Sequence, residues 1–372
     1  MTEEKSIKKS RTNWIMLLLN AAAILSMLVS YGAVHIAPAS YGYFSLFGLA
    51  YPFILIANLL FITYWLFKKK KYAWFSTAVI LIGFTHIADF FQLSVQDELQ
   101  GDEKLVKVLT YNVNLFGYYK DNKKKTTRNA IFDVLKREQA DIICFQEFYH
   151  TDRLGVFATR DTLTQFLPTK YYHERYTHAM TGRQYFGVAL FSRYPIISKG
   201  HVPFESDPNN FCIYADVLMH GDTVRIYNAH LQSIRFKPED YALVDGNRNN
   251  EELDDGSKRI ARRLKIAFVK REEQVRRMAE SIKTCQHEII LCGDFNDTPV
   301  SYTYETLTDL LHDSFKEAGN GIGNTYNGVF PSFRIDYIMH SNAYTAVEYE
   351  TLDEELCDHY AVSIILKRNQ AE

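Results

Sequence analysis

Cysteine is scarce and unpatterned in this 372-residue chain: Cys144, Cys212, Cys285, Cys292 and Cys357 form no C-x-x-C pair and no zinc-like spacing. An odd count without such spacing argues against a disulfide framework or a structural zinc site. Four of the five sit in or beside apolar, strand-like runs, as buried reduced thiols do. A G-x-S-x-G stretch is also missing, and with it the strained elbow that serves serine hydrolases. Internal repeats and low-complexity tracts are absent, which removes solenoid architectures. Nor is there an excess of basic charge. The chain has 42 Lys and Arg against 44 Asp and Glu, and the balance is uneven: residues 1–94 hold eight basic and three acidic groups, +5, leaving −7 for the remainder. A region of net −7 is poorly suited to gripping long nucleic acid, because that binding is driven by counterion release from many phosphates. Local cleavage of a phosphodiester is untouched by this argument.

Long apolar runs, by contrast, are abundant at the start. Trp14–Ile36, Phe44–Phe67 and Tyr72–Leu93 are each close to the roughly 20 residues that cross a hydrocarbon core. The first follows Lys5, Lys8, Lys9 and Arg11, as a signal peptide would, but it is too long for an h-region and more spans follow. The third contains His86 and Asp89; Asp89 lies near the end of the run, where a charge costs least. Three membrane-spanning helices are therefore expected within residues 1–94, with an acidic linker at 95–103 and a catalytic domain at 104–372. Positive charge favours the cytoplasmic side. The clusters at Lys5–Arg11 and Lys68–Lys71 then face inside, and the third run carries the chain out. The expectation is an integral protein of the plasma or inner membrane with an extracytoplasmic catalytic domain.

From Lys104 onward, short β-rich runs alternate with helical ones. Strands are expected at Lys104–Val113, Asp141–Gln146, Phe186–Ser192, Cys212–Met219, Thr223–His230, Glu288–Cys292, Phe333–Met339 and Tyr360–Leu366, with a helix at Thr126–Glu138. Met219-His220-Gly221-Asp222 reads as a hairpin turn. Ser233–Ser257 is polar and reads as an inserted loop. Lys258–Lys283 reads as an amphipathic helix with Ile260, Leu264, Phe268, Val275, Met278 and Ile282 on one side. Nine Lys or Arg fall between Lys258 and Arg277. A solvated face explains them, and so does a contact with anionic substrate or lipid headgroups. The pattern is that of an α/β fold.

Hydrolysis of a phosphate ester needs a hard cation, an activated water and help for the leaving oxygen. Carboxylates, amides and imidazoles at strand ends supply such a site. Six stretches qualify: Thr110–Asn114, Phe145–Glu147, Asn228–Leu231, Gly293–Asn296, Arg334–Ile338 and Cys357–Tyr360. Each alone has a turn or structural reading. Together and in order, over about Lys104–Lys367, they resemble the endonuclease/exonuclease/phosphatase superfamily, which includes pancreatic-type deoxyribonucleases, abasic-site repair nucleases, sphingomyelinases and inositol polyphosphate 5-phosphatases.

The resemblance implies a four-layer α/β sandwich, two packed mixed β-sheets flanked by helices, and a Mg2+ ion that Mn2+ can replace. By the same resemblance, Glu147 is the principal metal ligand, and Asn112 steadies metal and phosphate. Asp294 polarises the attacking water, with Asn296 beside it. His359 binds a phosphoryl oxygen or acts as acid or base, its tautomer fixed by Asp336. Asp358 reaches toward the metal, and His230 stabilises phosphoryl charge. One departure stands out: the deoxyribonuclease branch pairs the His230-type residue with a glutamate, and no carboxylate lies between Arg183 and Arg193, Glu174 being the nearest earlier one. Asn114, Arg183 and Tyr185 rank below these positions. Substrates implied are nucleic acid, phospholipid or inositol phosphate, at a membrane whose lipids are the other partners; no obligate protein partner is evident. A nuclease, a hydrolase of lipid or inositol phosphates, and a catalytically silent scaffold are the three functions to separate.

Overall fold

The computed structural model describes residues 2–94, 104–120, 125–152, 157–180, 183–205, 207, 210–237, 240, 250–328 and 333–369. The chain begins with a helical bundle. Its long members are α1 (Thr2–Ala33) and α4 (Tyr51–Lys68), linked by the short helices α2 (Pro38–Tyr41) and α3 (Ser45–Leu49). Residues Asn13–Ala33 and Tyr51–Lys68 are each long and apolar enough to cross a membrane. Outward-facing side chains such as Leu18, Leu25, Leu60 and Leu81 are apolar and exposed. Asn20, Ser30, Asn58 and Ser76 are inside. Asn20 Nδ2 donates to Ser76 Oγ (2.6 Å), Ser76 Oγ to Asn58 Oδ1 (3.0 Å), and Trp65 Nε1 to Asn20 Oδ1 (2.9 Å). Interhelical hydrogen bonds of this kind hold helices together where the surroundings are as apolar as leucine.

The third apolar run does not form a single helix, which corrects the sequence reading. It divides into α5 (Ala73–Ile82), α6 (Phe84–Ala88) and a strand, β1 (Phe91–Leu93). Gly83 leaves helical geometry at φ −104°, ψ 28°. Asp89 is an attachment point: its carboxylate lies 2.7 Å from Lys316 Nζ, and its carbonyl accepts from Arg334 Nη2 at 2.7 Å. The predicted linker at 95–103 falls outside the described residues.

The second region is the expected sandwich. In chain order it contains β2 (Leu105–Asn112), α7 (Thr126–Glu138), β3 (Ile142–Thr151), α8 (Thr159–Phe166), β4 (Tyr171–Met180), β5 (Gln184–Ser192), β6 (Ile196–Val202), β7 (Phe211–Met219) and β8 (Asp222–His230). Then come α9 (Asn250–Thr284), β9 (Glu288–Asp294), α10 (Tyr302–Thr308), β10 (His312–Asp313), α11 (Ser314–Ala318), β11 (Asn320–Ile322), β12 (Asp336–His340), β13 (Tyr344–Thr351) and β14 (Val362–Arg368). One six-stranded sheet runs β13-β14-β2-β3-β5-β4, the other β10-β12-β9-β8-β7-β6. Each is mixed: β2 and β3 are parallel, as are β8 and β9, and all other neighbours are antiparallel. The two parallel pairs need crossovers, and α7 and α9 provide them. The hairpin reads as expected, with His220 and Gly221 both at positive φ between β7 and β8, as a two-residue I′ turn requires.

Between the sheets lie Val108, Ile142, Leu190, Ile213, Ile226, Ile290 and Ile364, all buried. The four cysteines other than Cys285 are buried free thiols. Two amides cross this apolar layer. Asn228 Nδ2, in the second sheet, donates to the Phe145 and Ala189 carbonyls of the first (3.0 and 2.9 Å), and its Oδ1 accepts from Gln146 Nε2 at 2.7 Å. Satisfied buried amides lock one relative placement of the sheets, whereas a half-satisfied pair would be costly.

Helix α9 starts at Asn250, so the acidic Asn250–Ser257 stretch read as loop is helical; 241–249 lies outside the described residues. Its predicted apolar stripe holds, with Leu264, Phe268, Val275, Met278 and Ile282 buried. Much of its basic charge is spent within the protein. Arg259 and Arg263 meet Asp240, Lys270 meets Asp207, Arg271 meets Asp297, and Arg277 meets Glu205 and Glu273.

The bundle seats on the sandwich through the α1–α4 connection and the end of α6. Val300 completes a cluster with Met27, Val34, Tyr51 and Val79. The Ala39 amide donates to Glu272 (2.5 Å), and Lys265 stands 4.7 Å over the Tyr43 ring. Strand β1 pairs antiparallel with β11. Arg334, 2% exposed, links Asp313 (2.7 Å) to the Asp89 carbonyl and packs over the rings of Phe315 and Tyr337.

Candidate active site

Strand ends deliver the site. In the second sheet the parallel register sets His230 beside Asp294, and the antiparallel one sets Asp336 on its other flank. Gly293 lets β8 and β9 approach this closely, because it adopts φ 154° and a Cβ there would collide with the Ala229 carbonyl. In the first sheet β2 ends at Asn112, and β3 bulges between Phe145 and Phe148. Glu147, in that bulge, takes φ 49°, an uncommon conformation for a residue with a Cβ. Bulges re-aim side chains. Gln146 stays buried between the sheets while Glu147 reaches the partly exposed rim, its side chain 36% accessible.

Asp294 is the hub. It is 1% exposed; its Oδ2 accepts from Asn112 Nδ2 at 2.9 Å, and its Oδ1 from the Asn296 amide at 2.8 Å. The Nε2 atoms of His230 and His359 each stand 3.8 Å from that same Oδ2. Glu147 Oε1 is 3.9 Å from His230 Nε2. His359 Nδ1 pairs with Asp336 Oδ2 at 2.9 Å, which leaves Nε2 for the cleft. Asn296 Nδ2 ties the turn to the Leu231 carbonyl (3.1 Å). Asp358 lies at the edge, its Oδ1 accepting from Asn114 Nδ2 at 2.7 Å, and the Asn114 amide donates back to Asn112 Oδ1 at 3.2 Å. All eight sequence-predicted residues are thus linked into one network around Asp294.

Burial and charge compete here. Desolvation pushes the Asp336 carboxyl up to about 6; the His359 imidazole opposes that rise, and the Asp294 charge adds to it. For His359, burial disfavours the imidazolium, but Asp336 and Asp294 outweigh it and hold the group well above the ordinary histidine value.

The lower-ranked positions separate. Asn114 joins the network, whereas Tyr185 donates to Asp152 (2.8 Å) and the Arg183 carbonyl accepts from the Asp152 amide. Glu174 is not the partner of His230, because Arg160 Nη1 claims it at 2.9 Å. His230 is positioned instead by its place at the end of β8 and by Asn210 Nδ2, which donates to its carbonyl at 3.1 Å. Three contributors carry no sequence signal. Thr325 Oγ1 accepts from the amides of Ile335 and Asp336 (3.0 Å each), Tyr326 packs edge-on to the His359 ring at 5.3 Å, and Asn210 lies in a polar run that reads as loop.

A divalent cation suits the donors. Asp294, Asp336 and His359 offer ligand atoms within 4.8 Å of one another. Asp336 and His359 already bind each other, however. Within this network the Glu147 carboxylate accepts no hydrogen bond from a described residue, and the buried His230 Nε2 and Asp336 Oδ1 also lack hydrogen-bond partners. Buried polar atoms left open around concentrated carboxylates are what a hard cation and a phosphate would complete.

A sandwich of this topology with such a network belongs to a known class of hydrolases. Residues 109–363 match the model of the Endonuclease/Exonuclease/phosphatase family, and the chain belongs to that family, whose members hydrolyse phosphate esters. Residues 13–90 match a domain of unknown function (DUF8431). Among solved structures, a family protein from Bacteroides thetaiotaomicron is similar at 17% identity and a TM-score of 0.51, over 73% of this chain and 97% of that one. The human Nocturnin catalytic domain with bound sulfate is similar at 15% and 0.51, over 72% and 94%. ANGEL2, a 2′,3′-cyclic phosphatase in complex with adenosine-2′,3′-vanadate, is similar at 15% and 0.50, over 74% and 99%. At such identities the likeness is one of fold. A search of curated proteins returns no match.

Proposed function

We propose that the protein is a membrane-anchored, Mg2+-dependent phosphoesterase that hydrolyses phosphodiester or phosphomonoester bonds by attack of water. The observation that carries this reading is Asp294, buried and fixed at both oxygens, with two imidazoles flanking it at 3.8 Å. Glu147 and Asn112 would hold the ion, with Asp358 close behind, and the ion when bound supplies charge neutralisation at the phosphoryl oxygens. Asp294 orients the attacking water and accepts its proton. His359, kept charged by Asp336, holds a proton at Nε2 for a phosphoryl oxygen. His230 stands on the opposite flank and serves the leaving oxygen. Asn296 positions the phosphate.

The anchoring part of the proposal is supported by the inverted bundle, polar within and apolar without. The domain division at 95–103 follows from it. Both basic clusters, at the start of α1 and just after α4, occupy the bundle end remote from the sandwich, which supports an extracytoplasmic catalytic domain. Manganese replaces magnesium in this reading. A lipid or inositol phosphate is the favoured substrate class over nucleic acid, because the tether confines the enzyme to a surface and the sandwich region is acidic. The completeness of the network argues against a silent scaffold.

The test is turnover of a bis-aryl phosphodiester by the full-length protein in detergent. Activity with magnesium or manganese, lost in chelator and restored by the metal, is expected. Metal-independent or absent turnover on every phosphate ester tried would overturn the reading.

A further inference from the structure

The ribbon made by β1 and β11 stands where the third apolar run meets the sandwich. Its register pairs Phe91 with Ile322 and Leu93 with Asn320. Alternate residues of a strand share a face, and so do residues directly opposite. Phe91, Leu93 and Ile322 therefore share one face with the exposed Asn320, and the three apolar side chains are 44%, 76% and 64% exposed. Gln92 turns the other way and binds the Ala88 carbonyl at 2.5 Å. Three large apolar side chains on one face of a two-stranded ribbon are a poor surface to show to water. No described residue covers it.

Chain connectivity fixes the height of this face. Phe91 lies three residues beyond Ala88, the last residue of α6, so the ribbon begins where the bundle's apolar outer surface stops. The same end of the bundle carries Tyr41, Tyr43 and Phe44, all exposed, between α1 and α4. Aromatic side chains gather at headgroup level. A two-stranded ribbon has unpaired backbone edges, which bars it from the hydrocarbon core but not from the wetter boundary above it.

We propose that the Phe91, Leu93 and Ile322 face rests in the headgroup–acyl boundary of the bilayer that the bundle crosses. This rests on the membrane reading given above. The contact has a bearing on the active site through the chain that follows β11. Thr325, three residues beyond Ile322, holds the Asp336 amide, and Tyr326 lines the His359 ring. A lipid-seated ribbon thus sets the His359 wall of the cleft close above the membrane surface.

The experiment uses the full chain reconstituted in phosphatidylcholine vesicles, in a Cys285→Ser background that removes the one cysteine that is not buried. Single nitroxides are placed through Ile322→Cys and, separately, Leu93→Cys. Two references accompany them: Leu60→Cys on the outer face of α4, and Leu218→Cys, an exposed apolar position at the β7–β8 hairpin. Relaxation by lipid-soluble oxygen is compared with relaxation by a water-soluble nickel chelate. Oxygen should dominate severalfold at Ile322, Leu93 and Leu60, and nickel at Leu218. Nickel dominance at Ile322 and Leu93 with oxygen dominance at Leu60 overturns the proposal and leaves the membrane reading standing. Nickel dominance at Leu60 overturns both.

Discussion

The bundle and the sandwich bury polar groups by opposite rules. In the sandwich, apolar side chains fill the space between sheets, and ionisable groups gather at one end around Asp294. In the bundle, Asn20, Asn58 and Ser76 occupy the centre while leucines and phenylalanines look outward. The difference teaches which solvent each region is built for. On the membrane reading proposed above, a polar group goes toward a ligand in one case and away from lipid in the other.

Five substitutions sharpen or break that contrast. The largest effect is expected at the open carboxylate and the hub: Glu147→Ala and Asp294→Ala should each lower kcat/KM by about a thousandfold, with thermal unfolding nearly unchanged for Glu147→Ala. Near-normal turnover in either variant would mean that the polar end of the sandwich is structural. Next comes Asp336→Asn, which frees the His359 ring from its charged partner; kcat should fall about 100-fold with KM little altered, read from steady-state kinetics. Third is Asn228→Ala, which strips two carbonyls and Gln146 of their partner between the sheets. It should cost about 3 kcal/mol, measured by denaturant unfolding. The smallest effect is expected at Asn58→Ala in the bundle, about 0.6 kcal/mol in a bilayer, measured by unfolding in mixed micelles. If the two asparagine changes cost the same, the two regions do not live in different solvents.

Legibility in the sequence followed the same physics. The strands at the centre of each sheet, β2, β3, β8 and β9, are buried on both faces and read as continuous apolar runs. Those that went unread include β4, β6 and β13, and all three are edge strands. Their sequences, such as Ile196-Ile197-Ser198-Lys199-Gly200-His201-Val202, mix polar and apolar residues as an edge facing water does. The ribbon of β1 and β11 was hidden for another reason, since its partners are more than 200 residues apart. The site was legible because its residues sit at the ends of central strands, next to signals strong enough to place them. Its supports were not. Thr325 and the Gln146–Asn228 bridge act through partners that only the packing of two sheets brings together. The third apolar run reads as one span, despite His86 and Asp89, because hydropathy averages over Gly83 and cannot see that Asp89 has a lysine waiting in the other region.

Arg334 carries a practical lesson for anyone who would cut this protein in two. A fragment begun after Ser94 discards the Asp89 carbonyl and uncovers that side of the Arg334 guanidinium, leaving Asp313 as its acceptor among the described residues, two residues upstream of the carboxylate that steadies His359. The severed fragment would carry its wound beside the Asp336–His359 pair of the candidate site, so residues 1–94 are better regarded as part of that site's frame than as a leash.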